Sequence, residues 1–228
     1  MPAVVESMFS VKQVPWHGLG AVIQDAPTIS EGIKLAGLDW EVELRNTSTL
    51  DGIPLQTRAV VRKTDNKVVG EVGPKYVPLQ NLEAFDFFQP FIDAGEAELT
   101  TAGSLFEGSR VWVLCKIKRD NVEIRKNDEI AKFIMLSNGH DGKLAVRVGF
   151  TPIRIVCANT LAMAHSDKAS KLIRIRNKGD VVKSLINVRE TMDAINAEFN
   201  ATAEKYQWLA GRSNIKKNDI ERYVKIIL

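Results

Sequence analysis

The sequence predicts an α+β protein: a curved antiparallel sheet with a long β-hairpin, helices packed on one face, and a long helix in the C-terminal region. Three observations lead there. Residues 110–150 carry period-two runs interrupted by Asn138-Gly139 and Asp141-Gly142, the turn chemistry of a hairpin. Two earlier segments open on helix-capping residues and step their apolar side chains by three and four. From Val181 the apolar period changes to three and four and holds to Leu209, which marks a long helix with a narrow apolar seam.

Each element follows from local chemistry. Thr28 and Glu31 have capping-box spacing, so a helix should run from Ile29 to Ala36 and stop at Gly37. Trp40, Val42 and Leu44 alternate with charged residues as a half-buried strand. Residues 57–63 and 67–72 form two strands around Thr64-Asp65-Asn66. Pro74 and Pro78 break the sheet, and Asn81 caps a helix carrying Leu82, Phe85, Phe88 and Phe91, bent near Pro90. Arg110 to Lys118 is a strand, and residues 130–137 and 143–150 are the two arms of the hairpin. Thr151-Pro152 has the form of a helix start, so a helix is expected over 152–164 with Ile153, Val156, Cys157, Leu161 and Ala164 on its apolar face. The β-branched run Ile153 to Val156 argues against it.

The long helix carries Leu185, Val188, Met192, Ile195, Phe199, Thr202, Tyr206 and Leu209, and Asn218 to Glu221 offers a capping box for another. A core domain is expected over 1–180 and a C-terminal helical segment over 181–228, whose stop at Ile226-Ile227-Leu228 reads as a truncation.

Of the 228 residues 45% are hydrophobic, enough for a substantial core. No apolar run approaches the ~20 residues of a membrane span, and the N-terminus has no secretory pattern. Cys115 and Cys157 lie in apolar segments without CxxC spacing. Buried free thiols and a cytoplasmic location are expected.

No catalytic constellation stands out. His17, His140 and His165 lack metal-ligand spacing, so no metal or cofactor is expected. His140 and Asp141 sit in an Asn-Gly-His-Asp-Gly turn that explains them without acid–base chemistry. Cys157 and His165 are eight residues apart, too far along one helix to pair. No GxxxxGK[ST] phosphate loop occurs.

Charge is the strongest functional signal. Residues 1–109 hold 8 basic and 15 acidic side chains, residues 110–183 hold 16 and 7, and residues 184–228 hold 7 and 6. A basic middle after an acidic first half suits a polyanion partner and contact between subunits. Lys116 and Lys118 share one strand face, and Lys143 and Arg147 share one face of the return strand. Arg154 falls in the first turn of the expected helix, where phosphate is favoured. Lys171, Arg174 and Arg176 belong to a basic run from Lys168 to Lys178, which alternates with apolar residues over Leu172-Ile-Arg-Ile-Arg176. Trp112, Phe133 and Phe150 are the nearby aromatics, candidates either for the core or for base stacking.

Trp16-His-Gly-Leu-Gly20, Ala36-Gly-Leu-Asp-Trp40, Val72-Gly-x-x-Tyr76 with Gln80-Asn81, Thr101-Ala-Gly-Ser104 and Phe150-Thr-Pro-Ile-Arg-Ile-Val-Cys157-x-Asn-Thr-Leu161 follow one another over about residues 10–210. The series resembles the phage/plasmid-like family of prophages, phages and plasmids, a family of unknown function. A sheet with a long hairpin and a basic groove also resembles the phage single-strand annealing proteins. That resemblance implies single-stranded DNA binding and strand annealing in recombination, by a homo-oligomeric ring or filament that hydrolyses no nucleotide. The alternative is a protein-interaction module, docking through the seam helix, that modulates a host enzyme or defence system.

Overall fold

The computed structural model describes residues 4–118, 122–125, 128–168 and 170–192, with 194, 196, 197, 200, 201 and 204. The chain runs β1 (Val5–Val11), β2 (Ala21–Ile23), α1 (Ile29–Leu35), β3 (Val42–Ser48), β4 (Pro54–Arg62), β5 (Val68–Val72), α2 (Asn81–Asp86) and α3 (Gln89–Asp93). It continues through β6 (Ala97–Leu105), β7 (Arg110–Ile117), β8 (Val122–Arg125), β9 (Asp128–Ile130), β10 (Phe133–Gly139), β11 (Val146–Thr151), α4 (Ala158–Ser166), β12 (Lys171–Ile175) and α5 (Val181–Glu190).

Seven strands form an open, curved sheet in the order β12-β11-β10-β7-β6-β1-β2. A second sheet holds β3, β4 and β5, and β8 pairs with β9. Neighbouring strands are antiparallel except β1 and β2. The expected hairpin is β10–β11, in register from Phe133 opposite Thr151 to Ser137 opposite Arg147.

Both faces of the large sheet are covered, which corrects the expectation of helices on one face. Val111, Val113 and Cys115 of β7 face a core shared with residues of α1, α2, α5 and the small sheet. Trp112 and Leu114 face the opposite core, closed by Ile155, Val156, Leu161 and Ala164. A strand buried on both sides needs apolar residues at every position, and β7 has them from Val111 to Cys115.

The helix expected at 152–164 begins only at Ala158, with Cys157 as its N-cap. Residues 152–156 form neither helix nor strand and run as a strap over the second core instead. Ile155 is buried there and its carbonyl accepts the Thr101 hydroxyl at 2.7 Å. The β-branched run prevails over the Thr-Pro start signal because its side chains fill the second core.

Other local expectations hold with small shifts. The Thr28–Glu31 box closes reciprocally, at 2.9 Å from the Thr28 N–H and 3.3 Å to the Thr28 hydroxyl, and Gly37 ends the helix at φ +63°. The next helix is divided into α2 and α3 and starts one residue earlier than expected. Gln80 is its N-cap, while buried Asn81 holds the Leu38 and Trp40 carbonyls at 3.1 and 3.2 Å. The first three seam positions, Leu185 and Val188 on α5 and Met192 just after it, pack into the first core, as does Val181 at the start of α5. Ile195, Phe199, Thr202, Tyr206, Leu209 and the 218–221 box lie outside the described residues.

Candidate nucleic-acid interface

The turn between β10 and β11 is tied to two other segments through Asn138. Its amide donates to the Leu79 carbonyl at 3.2 Å and its oxygen accepts from Asn177 at 3.0 Å. Tyr76 donates its hydroxyl to the Gly139 carbonyl at 2.9 Å, and the Val77 N–H meets the Asn177 carbonyl at 2.9 Å. Strand β5 closes on this tip so tightly that a Cβ at Gly70 would stand 2.4 Å from the His140 carbonyl. The β12 end, the hairpin tip and the 73–77 turn therefore form one rim.

That rim encloses a groove of about 400 Å³ lined by Lys75, Lys143, Arg174, Arg176 and Lys178, and among the described residues no acidic one lines it. Among the described residues none of these five side chains has a carboxylate partner. Five like charges around one concavity focus a positive potential into it.

His140 lies beneath the rim, fully buried, with Nε2 3.1 Å from the Asn81 oxygen and its backbone N–H on the Ser109 carbonyl at 2.8 Å. Burial lowers its pKa to about 4 against the smaller opposing pull of Asp141. The imidazole is neutral at pH 7 and serves the packing of the tip.

The other histidines are elsewhere. His17 accepts the Leu19 N–H at Nδ1, 3.0 Å, so Nε2 carries the proton and donates to the Val156 carbonyl at 2.8 Å. His165 meets the Ser137 hydroxyl at 2.9 Å, and burial, followed by Arg147 and Arg110, lowers its pKa to about 4. Among the described residues no three His, Cys, Asp or Glu side chains are grouped to hold a metal. Burial pushes the Cys115 thiol well up. Burial also raises that of Cys157, but hydrogen bonds from Thr160, Asn159 and Trp16 together outweigh it and leave the thiol lowered.

Residues 68–228 match the family described as Domain of unknown function (DUF932). The chain belongs to the DUF932 family. No curated protein and no solved structure matches it. The matched span begins at β5 and contains every groove residue of this DUF932 protein.

The sheet register separates the basic residues singled out from the sequence. Arg174 pairs with Arg147, and Arg147 with Ser137. Lys116 lies opposite Phe133, four residues further along β10 and so about 13 Å away. Lys143, Arg174 and Arg176 reach the groove. Lys143 sits in the turn and not on β11, which starts at Val146, so it shares no strand face with Arg147. Arg147 extends to the α4 C-terminus, where its guanidinium is 3.5 Å from the His165 carbonyl.

Arg154 is not at a helix start. Its guanidinium donates to the Ser10 hydroxyl and the Val11 carbonyl, each at 2.9 Å, and to Gln13. It pins the strap to β1. With Lys116 it lines a separate cavity of about 160 Å³ that also holds Glu98. Lys118 stands 3.8 Å from Glu98, and Lys171 pairs across from Phe150 near that end of the sheet.

Trp112, Phe133 and Phe150 are all buried and unavailable to bases. Two groove residues were not among the expected contacts. Lys178 was visible as the end of the basic run, whereas Lys75 had no signal beyond its Gly-Pro-Lys-Tyr turn.

Proposed function

We propose that this DUF932 protein binds single-stranded DNA by its phosphates in the groove of Lys75, Lys143, Arg174, Arg176 and Lys178, and anneals complementary strands in recombination of a phage or other mobile element. Five cations around one groove, with no acidic lining residue and no carboxylate partner among the described residues, carry the reading. Tyr76 is an aromatic in the groove lining, and its hydroxyl donates to the Gly139 carbonyl. A strand gripped there by phosphates keeps its bases outward for pairing. The same proposal includes assembly into a ring or filament, with no nucleotide hydrolysis.

A salt titration with single-stranded DNA, duplex DNA and RNA tests it. Five phosphate contacts on a single strand give a log–log slope of about −3.5. Salt-insensitive binding, or binding no tighter to the single strand than to duplex, overturns it.

One observation favours a protein-interaction module instead: Leu50, Ile53 and Leu55 are exposed together at the β3–β4 end. Under that reading a Leu50→Ser, Ile53→Ser variant stays folded and loses its protein partner.

A further inference from the structure

A second cavity, of about 610 Å³, adjoins the groove and shares Gly73 and Lys143 with it. Its chemistry differs. Phe106, Arg110, Glu71, Asp141 and Ser109 are in its lining, so the acids missing from the groove gather here beside an aromatic ring.

The ring is held out by an unusual turn. Phe106, Glu107 and Gly108 all have positive φ, +51°, +57° and +90°, which two non-glycine residues adopt only under local constraint. An ion pair of 2.7 Å from Lys67 to Glu107 holds the turn, and the Arg110 guanidinium packs 4.9 Å from the Phe106 ring centre. Phe106 nevertheless stays 38% exposed.

The two carboxylates are used differently. Asp141 accepts the Lys143 N–H at 2.9 Å and lies 3.4 Å from Arg110. Glu71 takes the Thr57 hydroxyl at 2.6 Å on one oxygen, and the other has no protein donor among the described residues.

A ligand suited to both cavities is an anion at one end and flat at the other, with a hydrogen-bond donor on the flat end. A nucleotide bearing an exocyclic amine has that form. A carboxylate accepts from the cytosine N4 amine but repels the O4 that thymine carries in the same place.

We infer that the cavity of Phe106 and Glu71 is a base subsite: it takes one base of the bound strand, stacks it on Phe106, and selects cytosine over thymine through the Glu71 carboxylate. The inference rests on the phosphate-binding reading of the neighbouring groove. Every other base of the strand remains outward, so one anchored base sets the register of a strand otherwise held without regard to sequence.

Fluorescence anisotropy with labelled oligo(dC) and oligo(dT) of equal length, titrated with salt, tests the subsite. The wild-type protein binds oligo(dC) about tenfold tighter at equal salt slope. Glu71→Ala removes that preference and keeps the slope. Phe106→Ala weakens both oligomers by about fivefold or more, again at the wild-type slope.

Equal affinity of the wild type for the two oligomers overturns the subsite while a salt slope near −3.5 keeps the groove. Absence of salt-dependent binding overturns the groove reading and the subsite with it. The wild-type contrast decides without any variant, and thermal melts establish that both variants are folded.

Discussion

At the β10–β11 tip, Lys75, Lys143, Arg174, Arg176 and Lys178 line a groove with no acid and no ion-pair partner among the described residues. Near the other end of the same sheet, Arg154 is bonded to Ser10 and Val11 of β1 and to Gln13 just after it, and Lys118 faces Glu98. Both ends are rich in basic residues. The difference lies in what surrounds each cation. A guanidinium whose donors are taken by the protein's own oxygens is a structural pin, while one facing only like charges is left for an external anion. A count of basic residues along the chain cannot distinguish the two.

The largest expected effect falls on the tip, through pH. His140 supports the tip as a buried neutral ring, with a pKa lowered from 6.5 to about 4. The unfolded chain therefore binds the proton first, and stability is complete above the unfolded value and lost as pH falls from about 6.5 towards 4. Over that interval this one group removes roughly 3 kcal/mol. Urea unfolding of the wild type and of His140→Gln at pH 7, 6 and 5 measures it. The variant should lose less stability over that range, with His165 supplying a parallel decline in both proteins. Equal pH dependence in the two would show that His140 does not underpin the tip.

Next in size is the strap end. Arg154→Ala removes three hydrogen bonds from a charged donor and loosens the strap from β1, lowering stability by about 2 kcal/mol. The salt slope of DNA binding stays at the wild-type value. A slope that falls by one contact, with stability intact, would move the binding surface to this end of the sheet.

The tip cations give the opposite signature. Lys75→Ala, Lys143→Ala and Arg176→Ala combined change stability by no more than about 1.5 kcal/mol, at most about 0.5 kcal/mol for each surface position. The same variant flattens the log–log salt slope by roughly 2. Loss of stability without a change in slope would turn the groove into a structural feature.

The smallest effect belongs to Lys118→Ala. Its ion pair with Glu98 spans 3.8 Å between half-exposed side chains, so the variant loses no more than about 0.5 kcal/mol and no DNA affinity. A measurable drop in affinity would extend the interface to the end of β7 that Lys118 follows.

Elements with strong local chemistry were legible before folding: the Thr28 capping box, the β4–β5 pair around Asp65, and the β10–β11 hairpin with its glycine turns. β1 and β6 were not. β6 is buried almost throughout, and Thr100, Thr101, Gly103 and Ser104 give it no apolar alternation to detect. Only pairing on both sides, with β1 and β7, makes it a strand. Trp112, Phe133 and Phe150 were ambiguous for a related reason. An aromatic in a period-two run faces a core or a ligand according to whether its side of the sheet is covered, and here both sides are.

The α+β class, the capped helices, the position of the long hairpin and the basic character of the middle third follow from the amino-acid sequence, because each depends on residues within a few positions of one another. The tertiary structure alone decided which of those basic residues share a cavity. Lys75 reaches Arg174 and Lys178 only because β5 and the 73–77 turn close over the hairpin tip. Strand register then places Lys116 about 13 Å from that level of the sheet. Charge can be counted along a chain, but whether a charge is compensated depends on neighbours that folding brings from far away in sequence.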